Sequence, residues 1–324
     1  MPWVRSTYRA PRWLPGPHSQ TIAAAKLVPT PRVAYRRERW DTPDGDFIDV
    51  DFAQPEPAAV DAPVLVLFHG LEGCSRSHYA LAIMRHFADL GWRGMVAHFR
   101  GCSGEPNRLP RAYHSGDSDE IDWVLRRVHA RWPRAKLHAA GVSLGGNALA
   151  KWLGEREEDA RFVAAAASIG SPLDLAAGGA ALHRGFNRVY ERVFLATLKP
   201  KALAKARRFA GVARAEAIAR AKSLREFDDA FTAPVHGFRD ADDYWARASA
   251  KPWLRGIKVP HLVLNARNDP FVPAASLPVE REVSHHVLLE QPEEGGHVGF
   301  ARGAPPGRLD FLPQRLSEFF GRGA

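Results

Sequence analysis

The decapeptide Leu137–Gly146, LHAAGVSLGG, is the feature that most constrains the fold of this chain. An apolar run, a Gly-x-Ser-x-Gly break around Ser143 and a helix-compatible continuation are typical of a strand, a sharp turn and a helix. Such a turn strains the serine, so small residues are needed two positions before and after it to keep strand and helix apart. We therefore predict that Ser143 stands at a tight turn with its hydroxyl raised out of a sheet.

Other apolar runs indicate that this strand belongs to a mostly parallel sheet. Residues 64–68 are five consecutive apolar residues, the pattern of a strand buried on both faces. Strong turn residues at 42–46 predict an antiparallel hairpin that precedes it. Further strands are predicted over residues 93–99, 136–142, 162–169, 261–266 and 282–289. Helices are predicted over residues 78–90, 119–132, 145–154 and 306–320.

The strand pattern stops between residues 172 and 253, where only helical signals remain. We expect a helical cap inserted into an α/β core that comprises residues 32–171 and 254–324. Residues 1–31, rich in proline and aromatic residues, predict an N-terminal arm that lies on this core and carries a short helix near residues 19–27. A length of 324 residues accommodates one such domain with its insertion.

A serine hydroxyl is a weak nucleophile, so Ser143 gains a catalytic meaning only with a histidine base and an orienting carboxylate. Asp269 follows the strand predicted at residues 261–266, and His297 lies in a glycine-rich loop after the last strand. Taken singly, Asp269 is explained as a turn residue before a proline and His297 as a surface histidine. In the order Ser, Asp, His, each at the carboxyl end of a predicted strand, they predict a catalytic triad.

Hydrolysis of an acyl group also requires donors for the oxyanion of the tetrahedral intermediate. The backbone N–H of Leu144, directly after the nucleophile, is one predicted donor, and that of Leu71, in the loop after the first buried strand, is the other. His69 precedes this loop, and a structural role for it is favoured over that of a general base. We expect Glu72 and residues 100–104 to shape the floor of the site without a catalytic role.

Composition argues against several other classes of function. The net charge of +9 comes mostly from arginines scattered along the chain, with no nucleic-acid-binding motif, so we predict no nucleic acid partner. Two cysteines cannot form a disulfide framework, and the histidines lack metal-ligand spacing. We predict neither a metal nor another cofactor. The cysteine content, the lack of a long apolar segment and an arginine- and proline-containing N-terminus indicate a soluble cytoplasmic protein.

One segment of the predicted cap concentrates positive charge. Residues 199–222 contain eight basic residues and one acidic residue, and an acidic stretch over residues 226–243 follows. Mutual neutralisation or simple exposure to water is the favoured interpretation. The alternative is a peripheral contact of this basic cap segment with an anionic membrane surface or an acidic substrate.

Several motifs occur together with the serine turn: Arg12–Leu14, His18–Thr21, Pro43–Phe47, His69–Gly73, Arg100–Gly104, Gly141–Asn147, Phe227–Asp229, Asn268–Phe271 and Gly296–Phe300. In this combination the chain resembles the YheT-like family of α/β-hydrolases, bacterial relatives of a eukaryotic lipase and esterase group. The resemblance extends over nearly the whole length. It implies carboxylesterase or lipase-like activity on an acyl ester or lipid, with Ser143, Asp269 and His297 as the catalytic positions.

These observations together predict a serine esterase that cleaves carboxylic esters through an acyl-enzyme. Two alternatives remain open at this point. The first is an acyltransferase that uses the same triad with another acceptor, and the second is a ligand-binding protein that retains the fold without catalysis.

Overall fold

A computed structural model describes residues 2–57 and 59–321. The chain forms one sheet in the spatial order β1-β2-β4-β3-β5-β6-β7-β8. The strands are β1 (Ala34–Asp41), β2 (Phe47–Gln54), β3 (Val64–Phe68), β4 (Arg93–Ala97), β5 (Leu137–Val142), β6 (Val163–Ile169), β7 (His261–Leu264) and β8 (Val287–Glu290). β2 pairs antiparallel with β1 and β4, and the pairs from β4 through β8 are parallel. The predicted mostly parallel sheet is confirmed.

Helices pack on both faces of this sheet and lie in the cap. They are α1 (Gly16–Lys26), α2 (His78–Asp89), α3 (Ser118–Arg131), α4 (Leu144–Arg156), α5 (Leu175–Leu182), α6 (Asn187–Arg208), α7 (Ala215–Arg220), α8 (Leu224–Phe227), α9 (Ala233–His236), α10 (Ala241–Ala248) and α11 (Phe311–Gly321). Alternate residues of β3 belong to two different apolar clusters, one built with α3 and α4 and the other with α2 and α11. Both faces of β3 are therefore buried, as its apolar run predicts.

The chain between β6 and β7 contains α5 to α10, which agrees with the helical signals of that segment. Two small apolar clusters lie mainly within this segment. In a third cluster, residues of α5 and α6 pack against Phe271, Val272 and Leu277 in the chain after β7. The division into arm, core and cap at residues 31, 171 and 253 stays a prediction. In the residues that the structure describes, no helix combines the length and the apolar character that crossing a membrane requires.

The N-terminal arm lies along the core, as expected. Trp3 pairs beside Leu289 of β8, so the arm continues the far edge of the sheet. The ring of Tyr8 packs against Phe300 and Phe311, with ring centroids 5.1 and 4.9 Å apart. These contacts bring α1 next to the loop that follows β8.

Two predicted boundaries near the C-terminus are wrong. The last strand starts at Val287 instead of residue 282, because residues 280–282 form a 3₁₀ turn. The last helix starts at Phe311 instead of residue 306, because Gly307 has a φ of 88°, a left-handed conformation that interrupts a right-handed helix.

Candidate active site

Ser143 lies in the turn between β5 and α4 with a φ of 53°, a conformation that is strained for a non-glycine residue. Its glycine neighbours leave no room for a side chain. A Cβ atom on Gly141 would lie 2.4 Å from the carbonyl oxygen of Gly145. A Cβ atom on Gly145 would lie 2.5 Å from the carbonyl oxygens of Phe68 and His69. The tight turn predicted from the Gly-x-Ser-x-Gly spacing is confirmed, and so is its steric cause.

The three residues predicted as a triad lie together at the carboxyl ends of their strands. His297 Nε2 lies 3.0 Å from Ser143 Oγ, and His297 Nδ1 lies 2.8 Å from Asp269 Oδ2. The other carboxylate oxygen of Asp269 accepts hydrogen bonds from the N–H groups of Phe271 and Val272 at 2.8 and 3.3 Å. The carboxylate is fully buried, so its orientation is fixed by these bonds. Because Asp269 accepts at Nδ1, the imidazole presents Nε2 to the serine hydroxyl.

Helix α1 of the arm holds the loop that carries His297. The Thr21 hydroxyl accepts a hydrogen bond of 2.9 Å from the backbone N–H of His297. The side-chain oxygen of Gln20 accepts hydrogen bonds from the N–H of Gly295 at 2.9 Å and from the amide of Asn268 at 3.0 Å. No chemical pattern in the sequence assigns a role to Gln20 or Thr21. Their membership of the His18–Thr21 motif was the one available signal.

The loop after β3 forms a turn in which the N–H of Gly73 donates to the carbonyl oxygen of Gly70 at 2.9 Å. The N–H groups of Gly70 and Glu72 each donate to a tyrosine hydroxyl at 2.9 Å. Among the described residues, the N–H of Leu71 between them has no acceptor. Leu144 is the first residue of α4, so its N–H lacks an acceptor within the helix. Both predicted donors are thus available, and their role at an oxyanion stays a prediction.

His69 acts as a structural residue, as favoured from its sequence position. Its Nδ1 donates to the carbonyl oxygen of Gly70 at 2.8 Å, and its Nε2 accepts from the N–H of Phe99 at 3.0 Å. Burial lowers the pKa of His69 to about 3, so the ring stays neutral. His69 therefore joins the loop after β3 to the loop after β4.

Glu72 connects this loop to the cap. Its backbone has a φ of 56°, and its carboxylate accepts a hydrogen bond of 2.8 Å from the hydroxyl of Tyr113. Lys201 of α6 lies 2.8 Å from the same carboxylate. The loop that carries Leu71 is therefore held in place from the core and from the cap.

Ser143 and His297 line a cavity of about 680 Å³ between the core and the cap. Glu72 and most of the loop 100–104 also line it, which confirms that they shape the site. The cap side is mainly apolar and comes from α5, α6 and the helices that follow. It includes Leu175, Leu182, Phe194, Leu198, Leu224, Phe227, Phe231, Tyr244 and Trp245. A cavity of this size and lining suits an apolar ligand.

Comparisons with known proteins bear on this site. The sequence model of the α/β hydrolase fold matches residues 63–304. The chain is 41% identical to the provisionally named esterase YheT of Escherichia coli, over 82% of this chain and 78% of that protein. The chain belongs to the α/β-hydrolase family. This α/β hydrolase is also 33% identical to mouse phospholipase ABHD3, over 98% of its own length and 79% of that protein.

Solved structures agree with this assignment at the level of the fold. The esterase Pf2001 of Pyrococcus furiosus superposes with a TM-score of 0.56 and 14% identity, and the match covers 98% of this chain and 99% of that chain. The fold and the named relatives support hydrolysis of the esterase and lipase type for this protein.

The Phe227–Asp229 motif of this α/β hydrolase supports the cavity wall. The carboxylate of Asp228 accepts hydrogen bonds from the Trp245 indole at 2.9 Å and from the Thr232 hydroxyl at 2.7 Å. Burial raises the pKa of Asp228 to about 6. Trp245 packs so closely on Gly179 of α5 that a Cβ atom there would lie 2.7 Å from the indole ring. Asp228 thus holds Trp245 in the cavity wall.

Much of the basic cap segment at residues 199–222 is already occupied by internal contacts. Two lysines donate to backbone carbonyl oxygens: Lys199 to those of Ala219 and Ala221, and Lys205 to those of Leu109 and Arg111. Two other basic side chains form ion pairs, Lys201 with Glu72 and Arg220 with Glu216. The following acidic stretch pairs with other arginines, Arg225, Arg239 and Arg247. The two stretches therefore form no ion pairs with each other, and the mutual neutralisation considered from the sequence is wrong. Exposure to water, the other part of the favoured interpretation, agrees with the exposed positions of Arg207, Arg214 and Lys222.

Proposed function

We propose that this α/β hydrolase is a serine esterase that cleaves carboxylic esters, including lipid esters, through an acyl-enzyme. The observation that carries the proposal is the series of hydrogen bonds from Ser143 Oγ through His297 to Asp269. Relatives named as esterase and phospholipase support the same class of reaction. The apolar cavity beside Ser143 supports an apolar acyl chain as the group that binds there.

In the proposed first half-reaction, Ser143 Oγ attacks the carbonyl carbon of the ester while its proton passes to Nε2 of His297. Asp269 accepts a hydrogen bond from Nδ1–H and stabilises the imidazolium that forms. The N–H groups of Leu71 and Leu144 bind the oxyanion of the tetrahedral intermediate. Collapse of this intermediate breaks the ester C–O bond, and the imidazolium proton goes to the departing alcohol.

In the second half-reaction, water attacks the acyl-enzyme carbonyl and gives its proton to His297 Nε2. The second tetrahedral intermediate collapses with return of that proton to Ser143 Oγ, and the carboxylic acid leaves. No cofactor takes part in either half-reaction. The cytoplasmic location stays a prediction.

A Ser143→Ala variant tests the proposal on p-nitrophenyl butyrate. We expect hydrolysis to fall by at least about 10³-fold, because the nucleophile is removed while the cavity remains. Ser168→Ala is the control, since this buried serine donates to the carbonyl oxygen of Gly146 and does not line the cavity. Parent-like turnover by Ser143→Ala would refute the assignment.

Labelling with a fluorophosphonate separates the two alternatives from the proposal. A reactive serine forms a covalent adduct at Ser143, whereas a ligand-binding protein without catalysis forms none. An acyltransferase is labelled as well, but it transfers the acyl group to an added alcohol faster than to water. Labelling together with release of free carboxylic acid is the result that we expect.

A further inference from the structure

The outer face of α6 exposes a stripe of apolar residues. At one end of the stripe, His18 of α1 packs on Phe186 with ring centroids 4.6 Å apart, and this leaves about half of the Phe186 surface exposed. The stripe consists of Phe186, at the N-terminus of the helix, followed by Val189, Val193, Ala196 and Pro200. Their spacing of three and four residues places them on one side of the helix. Phe186, Val189 and Val193 are 51%, 45% and 60% exposed, so three large apolar side chains on successive turns of the helix face solvent.

The opposite side of the same helix packs inward. Tyr190 and Phe194 contact Phe271, with ring centroids 4.7 and 6.1 Å apart, and Leu195 is buried in the cap. Packing of the cap therefore accounts for the inner apolar residues and leaves the outer stripe unexplained. Single exposed apolar residues are common, whereas an ordered stripe marks a contact surface.

Three arginines lie beside the stripe and give it a strong positive charge. Arg184, Arg188 and Arg192 are exposed, and within residues 2–57 and 59–321 no carboxylate lies within 4.0 Å of them. The acidic residue of this half of the helix, Glu191, is buried and turned inward, where it accepts from the N–H of Leu224 at 2.8 Å. The outer face thus combines apolar side chains with arginines that have no carboxylate partner in the part of the chain that the structure describes.

We propose that the outer stripe of α6 docks on an anionic lipid bilayer. Exposed apolar residues flanked by arginine are the composition of a helix that lies in the interface of a membrane, and the arginines complement the negative surface of acidic lipids. A second copy of this chain is a poorer partner. In a twofold dimer through this face, the three arginines of one copy would meet the same three of the other.

The position of the stripe explains what such docking would achieve. Pro200 at its end also lines the cavity that contains Ser143, and Phe194 and Leu198 of the same helix line that cavity from within. A bilayer on the stripe therefore meets the protein next to the rim of the cavity. This consequence, delivery of a lipid ester from the bilayer, rests on the proposed function, whereas docking itself does not.

The proposal differs from a contact made by the basic segment at residues 199–222. Four of the eight basic side chains in that segment are held by the protein, but among the residues that the structure describes the three arginines of the stripe have no such partner. Neutralising two arginines in each region therefore distinguishes the two surfaces. Arg188→Gln/Arg192→Gln removes charge from the stripe, and Arg207→Gln/Arg214→Gln removes the same charge from exposed positions of the basic segment.

Vesicle sedimentation measures docking directly, with vesicles of phosphatidylcholine alone or of phosphatidylcholine and phosphatidylglycerol at seven to three. We expect the parent protein to bind the anionic vesicles more tightly than those of phosphatidylcholine alone. Val189→Asp/Val193→Asp should bind the anionic vesicles at least about tenfold more weakly than the parent. Arg188→Gln/Arg192→Gln should bind both kinds of vesicle equally. Val60→Asp is the matched control, because Val60 is an equally exposed valine, at 58%, in a surface loop. All variants should hydrolyse soluble p-nitrophenyl butyrate within about twofold of the parent rate.

Several results would overturn the proposal. The first is that the parent protein does not bind the anionic vesicles. The second is that Val60→Asp, or Arg207→Gln/Arg214→Gln, loses as much vesicle binding as the corresponding stripe variant. The third is that the parent protein forms a dimer in solution that Val189→Asp/Val193→Asp dissociates. Vesicle binding without ester hydrolysis would sustain docking and refute the proposed function. Hydrolysis of the soluble ester without vesicle binding would sustain the proposed function and refute docking.

Discussion

At the scale of single residues, the orientation of Asp269 depends on two backbone N–H groups. These donate to one carboxylate oxygen and leave the other for His297 Nδ1. In Asp269→Asn, the amide oxygen keeps the contact with the backbone donors, so the NH₂ group faces Nδ1. The imidazole must then carry its proton on Nε2, where it is unable to accept the proton of Ser143.

We therefore expect Asp269→Asn to lower kcat for p-nitrophenyl butyrate by about 10⁴-fold while the free energy of unfolding changes little. Steady-state kinetics measures kcat, and urea denaturation of the same preparation measures the free energy of unfolding. Asp229→Asn is the control, because Asp229 does not line the cavity and its carboxylate accepts from the N–H of Ala241. A kcat near that of the parent would show that Asp269 does not orient the imidazole.

At the scale of secondary-structure elements, α1 acts on the site from outside the sheet. Its residues Gln20 and Thr21 hold the loop of His297 by hydrogen bonds, and neither residue lines the cavity. Displacement of a catalytic group by about 1 Å is enough to lower a rate by about 100-fold. The arm is therefore part of the machinery that positions the base.

Thr21→Val removes the acceptor of the His297 N–H and nearly conserves side-chain volume. We expect kcat to fall between about 10- and 100-fold while KM stays within about twofold, since substrate contacts are unchanged. Ser19→Ala provides the comparison on the same helix, because the Ser19 hydroxyl donates only to the carbonyl oxygens of Pro15 and Gly16. Equal kcat values for the two variants would contradict a positioning role for Thr21.

The elements also explain what the sequence could predict. Ser143, Asp269 and His297 were recognisable because each follows a strand, and the ends of parallel strands meet at one edge of a sheet. Gln20 and Thr21 were not recognisable, because a side chain that bonds to the backbone of a segment far along the chain leaves no spacing pattern. The shifted starts of β8 and α11 have a local cause instead, since the turns at residues 280–282 and Gly307 interrupt otherwise suitable runs.

At the scale of the whole molecule, core and cap enclose the cavity together. The carboxamide of Asn147 on α4 donates to the carbonyl oxygens of Ser115 and Ala248 and accepts from the N–H of Ala250. This fully buried side chain joins the helix that follows Ser143 to the end of the cap. The side chains that line the cavity come from both parts, so its size should limit the acyl chain.

A series of p-nitrophenyl esters of increasing acyl length tests this limit. We expect kcat/KM to rise about fourfold with each methylene group that enters the apolar cavity, and to fall once the chain exceeds its length. Ala202 of α6 is buried and lines the cavity, so Ala202→Leu should move the optimum to a shorter chain. Ala196→Leu, on the exposed side of the same helix, should leave the optimum in place. An optimum that is the same in both variants would mean that the acyl chain binds outside this cavity.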